Sequence, residues 1–197
     1  MNVSEHTSHV SPRAESPLTP AVLALEKATA LDPVVAVGNE LSGALVADPR
    51  VRGLLQGRQV GHAVHPLLVQ VPLGTWISAT LLDVLGGSGD RDAARRLVGL
   101  GVLAAVPSAL TGWAEYAGSP ARDRRVGVVH AAANGVAAGL QVGSWLARRS
   151  GRHGLGQALN LAGVSLAGAG GYLGGHLSVA RKVGSRDAAY AGDPDVT

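Results

Sequence analysis

The chain has 197 residues, 46% of them hydrophobic, only 16% charged and 3% aromatic, with 28 glycines, no phenylalanine and a net charge of +3. Soluble domains carry about a quarter Asp, Glu, Lys and Arg, so this is not an ordinary soluble composition. The absence of cysteine excludes disulfides, cysteine-ligated iron–sulfur clusters, thiolate zinc sites and covalently attached haem.

In chain order, Met1 to Pro20 is polar and rich in Ser, Thr and Pro, and residues 1–30 are expected to form a polar tail, disordered or partly helical. No basic stretch followed by an apolar one opens the chain, so a cleaved secretory signal is not expected. Residues 31–60 read as an amphipathic juxtamembrane segment. Asp32-Pro33 predicts a helix start, with Asp as N-cap and Pro in the first turn. The helix would run from Val34 to Ala47, ending before Asp48-Pro49, and lie on the membrane surface or on the bundle.

Four apolar runs follow: Leu67–Gly86, Leu97–Tyr116, Val126–Leu146 and Leu155–Leu177. Each is about 20 residues, roughly 30 Å of helix, which matches the hydrocarbon thickness of a bilayer. Between them stand Asp90-Arg91-Asp92 with Arg95-Arg96, then Arg122-Asp123-Arg124-Arg125, then Arg148-Arg149 with Arg152. Charges at the ends of spans are what membrane insertion requires. The runs also lack the continuous charged face of a soluble bundle. The prediction is all-α: an integral membrane up-and-down bundle of four transmembrane helices within residues 61–180, with a short N-terminal amphipathic helix. The spans are placed at about 65–86, 97–117, 126–147 and 155–177, and residues 181–197 form a polar tail. Nine basic residues flank the spans on the side of the termini (Arg50, Arg52, Arg58, Arg122, Arg124, Arg125, Arg181, Lys182, Arg186) against six on the other (Arg91, Arg95, Arg96, Arg148, Arg149, Arg152). The positive-inside rule then predicts cytoplasmic termini. The basic excess belongs to these span ends and does not point to nucleic acid.

On that topology the histidines converge. His62 and His65 open the first span, Glu115 closes the second, His130 opens the third and His176 closes the fourth, which puts all five at one depth in the leaflet nearer the termini. Ionisable residues inside spans are costly and face the bundle interior. Helical spacing adds polar companions on the same faces: Ser108 and Thr111 before Glu115, Asn134 and Gln141 after His130, Ser165 and Tyr172 before His176, Trp76 and Asp83 after His65. Imidazole is the commonest protein ligand for transition metals, and a carboxylate completes such sets. Bis-histidine ligation of haem b is a second use, best met by His130 and His176, with His62 and His65 supplying a further ligand or a cap. A proton relay is a third. The plain alternative is that these histidines only bond neighbouring helices or lipid headgroups.

The glycines have a simpler reading. Gly135, Gly139 and Gly143, with Gly170/Gly174 and Gly171/Gly175, recur every four residues, a spacing that lets membrane helices approach closely and allows a homodimer. A nucleotide-binding reading of the GAGGYLGGH stretch fails, with no strand before it and no lysine after it. Pro107 is expected to kink the second span, and Pro66 and Pro72 to shape the first. His6, His9 and His153 stand apart and are read as solvated.

Residues 54–83, LLQGRQVGHAVHPLLVQVPLGTWISATLLD, resemble the opening of an uncharacterised bacterial membrane family, domain-of-unknown-function 2231. Its hallmark Gly-His-Pro-x-His-Pro stands here as Gly61-His62-Ala63-Val64-His65-Pro66, with Ala63 replacing the first proline. Pro107-Ser108-Ala109-Leu110-Thr111-Gly112 leads to Glu115, where relatives often have aspartate. Arg125-Val126-Gly127 with His130 and Asn134 follows, then Gly170-Gly171-Tyr172-Leu173-Gly174-Gly175-His176-Leu177. The similarity covers about residues 31–180. It implies a four-helix integral membrane domain in a bacterial cytoplasmic membrane. Relatives are sometimes fused to Rieske-type iron–sulfur or c-type cytochrome modules, which implies redox chemistry, and a chain without cysteine would meet such a partner as a separate protein. The expectation is a binding and electron-transfer module rather than a hydrolase, holding haem b or a transition metal ion through His62, His65, His130 and His176 with Glu115 nearby. Thr111, Asn134 and Tyr172 would support it. The alternatives are a small proton-coupled transporter or channel, an intramembrane metal hydrolase with Glu115 as base, and a structural subunit of a membrane complex.

Overall fold

The computed structural model describes residues 16–185, so the outer parts of both predicted tails, with His6, His9 and Arg186, lie outside them. The described residues are helical throughout: α1 Thr19–Lys27, α2 Asp32–Leu45, α3 Pro49–Leu55, α4 His65–Leu68, α5 Gln70–Leu85, α6 Arg91–Tyr116, α7 Ala121–Arg149 and α8 His153–Gly175, followed by a π-helical turn at His176–Ala180. Helices α4 and α5 are one span broken at Val69, where Pro72 lacks the N–H that would bond the Leu68 carbonyl. Pro107 is tolerated inside α6, which stays one helix.

Three stretches, His65–Leu85, Ser88–Tyr116 and Ala121–Arg149, are long and apolar enough to cross a membrane. Helix α8 has 23 residues, about 35 Å, and carries no Asp, Glu, Lys or Arg. Neighbours in the chain pack together (α5 on α6, α6 on α7, α7 on α8) and α5 meets α8, which closes an up-and-down ring of four. Large apolar side chains point outward from it, including Val84, Leu85, Leu103 and Val106, as a lipid surround requires.

The juxtamembrane segment folds as α2 and α3, bent by 107°. Asp32 is the first residue of α2, and Leu31 holds the cap position. The Asp32 carboxylate is drawn away by Arg125, whose Nε and NH2 donate to it at 2.7 and 3.0 Å. Asp48 does cap α3, its Oδ1 accepting from Arg50 N at 2.6 Å and Val51 N at 3.3 Å. Helix α1, in the stretch expected to be a polar tail, disordered or partly helical, lies on α7 with Val22 and Glu26 buried.

The interior is polar along one seam. Gln141, Asn160 and Ser144 are fully buried and Arg148 nearly so. On α7, His130, Asn134, Gln141 and Arg148 each sit over a glycine of α8. A methyl group at Gly174 would lie 2.8 Å from His130 Cε1, at Gly170 2.6 Å from Asn134 Nδ2, at Gly163 2.6 Å from Gln141 Nε2, and at Gly156 2.5 Å from Arg148 Cγ. Of the glycines singled out by spacing, Gly170 and Gly174 pack in this way. Gly135, Gly139, Gly171 and Gly175 have nothing within 4 Å of such a methyl, and Gly143 meets only Leu159 at 3.4 Å.

At the end of the seam away from the termini, Arg148 NH1 and NH2 donate to Asp83 Oδ1 and Oδ2 at 2.8 and 2.5 Å, with the arginine side chain 0% and the aspartate 8% exposed. Removing one partner of a buried pair strands the other, at about 3–5 kcal/mol, whereas replacing both by apolar residues is often neutral. Arg148→Met should therefore lower the thermal unfolding midpoint in detergent sharply. Adding Asp83→Leu should restore most of the loss.

Candidate functional site

At the other end of the bundle, α4–α5, α6 and α7 part around a cavity of about 270 Å³. His65, Glu115 and His130 all line it, beside Trp76, Trp113 and Tyr116, as do Leu177, Ser178 and Val183. Three of the five residues predicted to share one depth are thus together. His62 is exposed in the turn before α4. His176 points away to α1, where its Nε2 meets Glu26 Oε1 at 2.7 Å. Thr111 and Asn134 stand beside the two imidazoles, whereas Tyr172 is 42% exposed. The buried face of α8 is Gly156, Asn160, Gly163, Ala167 and Gly170.

Each cavity imidazole is fixed through the same atom. His65 Nδ1 lies 2.8 Å from the Ser108 carbonyl, and His130 Nδ1 lies 2.8 Å from the Gly170 carbonyl. A carbonyl only accepts, so Nδ1 carries the proton of the neutral ring and Nε2 keeps its lone pair. Thr111 Oγ1 is 3.5 Å from His65 Nδ1 and donates to the carbonyls of Pro107 and Ser108. Asn134 Nδ2 donates to the His130 carbonyl at 2.9 Å and lies 3.3 and 3.5 Å from the two ring nitrogens. Both rings rest on glycine: a methyl at Gly112 would come within 2.9 Å of His65 Cε1, as one at Gly174 would to His130. The ring centroids are 6.3 Å apart and the planes at 84°.

Two carboxylates complete the cavity at the rim, Glu115 (7% exposed) and Asp123 (3% exposed). Asp123 Oδ1 is 3.5 Å from Arg122 Nε and 3.8 Å from Arg181 Nε. Among the described residues, no three His, Cys, Asp or Glu side chains come close enough to hold a metal ion between them. An ion here would rest on two imidazoles and ligands from outside the described residues.

Sequence reasoning missed Glu26. It accepts from His176 Nε2, and from Arg181 Nε at 2.7 Å and Arg181 NH2, while its backbone carbonyl accepts from Arg125 NH1 at 3.0 Å. The available signal was helical spacing: Val22 and Glu26, four apart, share the inward face of α1. Burial pushes the Glu26 carboxyl up, but the hydrogen bonds and charges of Arg181 and His176 outweigh it, leaving the group below its ordinary value.

Over residues 61–187 the chain matches the family described as "Predicted membrane protein (DUF2231)". No curated protein and no solved structure matches it.

A carboxylate with a depressed value in the folded state stabilises above the ordinary carboxylate range and stops doing so as pH falls through the lowered value. Hydrogen bonds to charged groups contribute about 1.5–3 kcal/mol. Glu26→Gln should therefore lower the unfolding midpoint at neutral pH, and the gap from the parent should close only in acid, below the ordinary carboxylate range. A gap independent of pH would assign the stabilisation to packing.

Proposed function

The chain belongs to the DUF2231 family of membrane proteins, and we propose that it carries a two-imidazole metal centre, haem b iron or a transition metal ion held by the Nε2 atoms of His65 and His130, that moves electrons within the membrane. One observation carries this reading. Two imidazoles on different helices flank one cavity, and each has its Nδ1–H committed to a main-chain carbonyl. Metal-ligating histidines are characteristically anchored in this way, since the outer bond fixes the tautomer and raises ligand basicity.

The two rings stand at one cavity with their centroids 6.3 Å apart, and their Nε2 atoms would be the ones to hold an ion. His65 and His130 would hold a haem or an ion, which would supply reversible one-electron chemistry there; among the described residues no third His, Cys, Asp or Glu joins them. A bare ion would complete its shell with water. His62 and His176 stand outside this pair. The setting we propose is a bacterial cytoplasmic membrane with cytoplasmic termini, and a separate redox protein as electron partner.

The two buried rim carboxylates favour a second reading, a proton-coupled carrier using Glu115 and Asp123 with the same imidazoles. Purified protein distinguishes them. The visible spectrum before and after dithionite, with metal analysis, should show a Soret band that shifts on reduction, or a bound transition metal. Either signal should vanish in His65→Ala and in His130→Ala. Asn134→Ala, which removes an amide packed against the His130 ring, should weaken binding by about 10–100-fold. If neither haem nor metal copurifies and none rebinds, the metal centre is refuted, and proton-coupled uptake into proteoliposomes becomes the deciding assay.

A further inference from the structure

Ten described residues, 176–185, follow α8. They leave the helix through a π-helical turn at His176–Ala180, a rare geometry that is frequent at functional sites, and turn back through Lys182 (φ 52°) and Gly184 (φ 93°). Lys182 holds a left-handed conformation that a side chain disfavours, so this turn is held by its surroundings. Leu177, Ser178 and Val183 line the cavity, and a methyl at Gly184 would lie 2.8 Å from Ala63 and 3.5 Å from Glu115 Oε2. The strap therefore crosses the mouth of the cavity from α8 to the turn before α4. Within the strap, Arg181 N donates to the His176 carbonyl and Val183 N to the Leu177 carbonyl.

One carboxylate, Glu26, holds both ends of the π-helical turn. His176 and Arg181, at the two ends of the π-helical turn, both donate to Glu26. Glu26 is on α1, outside the matched residues 61–187, and α1 is itself tied down by Arg125, which holds the Glu26 carbonyl and the Asp32 carboxylate. Arg181 has a second, longer contact with Asp123 at 3.8 Å.

We propose that residues 176–185 are a gate over the His65–His130 cavity and that Glu26 is its latch, so that the N-terminal helix controls what reaches the site. Breaking the Glu26 contacts frees both ends of the π-helical turn at once and lets the strap lift from Ala63 and Glu115 while the four-helix ring stays closed. The inference concerns access to the cavity and stands whether or not a metal is bound there.

The chain has no cysteine, so a single introduced thiol reports cleanly. Ser119 lines the cavity and is 8% exposed; Ala79 is 0% exposed in the distant apolar core of α5, α6 and Trp145. Full-length Ser119→Cys protein in lipid nanodiscs, treated with a membrane-impermeant maleimide, should label slowly. Adding Glu26→Gln or Arg181→Gln should each speed labelling by at least about tenfold, the scale expected when a buried charge loses its partner. Arg149→Gln, at the far end, should leave the rate unchanged. Ala79→Cys should stay unlabelled in every background. Fast labelling of Ser119→Cys alone, or no acceleration by the latch variants, overturns the gate. So does acceleration by Glu26→Gln without Arg181→Gln, which means that α1 leaves while the strap stays. Parallel labelling of Ala79→Cys overturns it as well, because the whole bundle has then loosened.

Discussion

The structure depends on how α7 meets α8. Between helices in a bilayer there is no hydrophobic driving force, because lipid tails are as apolar as leucine, and association rests on close packing and interhelical hydrogen bonds. Here both come from one device. Helix α7 presents His130, Asn134, Gln141 and Arg148, and α8 presents Gly174, Gly170, Gly163 and Gly156 in reverse order, as two antiparallel helices must. Each large polar side chain fills the space left by an absent side chain. The same relation recurs where His65 sits on Gly112 and Trp76 on Gly101. The imidazoles of the cavity are thus held by the interactions that hold the helices together.

Charge is distributed to match. The far end of the bundle closes on the buried Asp83–Arg148 pair, which ties α5 to α7. The near end closes on pairs that reach outside the ring, Glu26 with His176 and Arg181, and Asp32 with Arg125. In both near-end pairs the acid comes from the N-terminal helices and the base from the bundle. Tyr116 adds to the junction, donating to the Val35 carbonyl at 3.1 Å and packing over Gly38 and Gly127. The segment before residue 61 is therefore part of the working domain, because it supplies the counter-charges of the end that contains the cavity.

Much of this was legible from spacing. Four runs of about 20 apolar residues fix the class, and up-and-down order places His65, Glu115 and His130 at one depth. The 3.6-residue period correctly set Ser108 and Thr111 with Glu115, and Gln141 with His130. It misled on α8, where Ser165 and Tyr172 looked like the polar face and both are exposed. That face is defined by missing side chains, which a search for polar residues cannot register. The pairing of His176 was illegible for another reason: Glu26 is 150 positions away in a segment whose polar surroundings suggested a tail. Spacing places Asp83 on the inward face of its span and Arg148 among the flanking charges, and nothing in it pairs them until their helices are brought together.

The glycines and the imidazoles are linked through the backbone. A helix carbonyl points toward the C-terminus and is shielded from the side by the residues three and four positions on. Where one of those is glycine, its second lone pair becomes reachable from a neighbouring helix. Four interhelical bonds here follow that rule. His65 reaches the Ser108 carbonyl beside Gly112, and His130 reaches that of Gly170 beside Gly174. Trp76 reaches that of Val98 beside Gly101, and Gln141 reaches that of Asn160 beside Gly163. In hydrocarbon an imidazole N–H needs an acceptor, and an apolar helix offers only its own carbonyls. Glycine at i+3 or i+4 exposes them, so a glycine-rich chain can orient two histidines identically without adding a carboxylate to do so. Anchoring both rings by Nδ1 leaves both Nε2 atoms available, which is why the packing of the helices and the chemistry of the cavity rest on the same few residues.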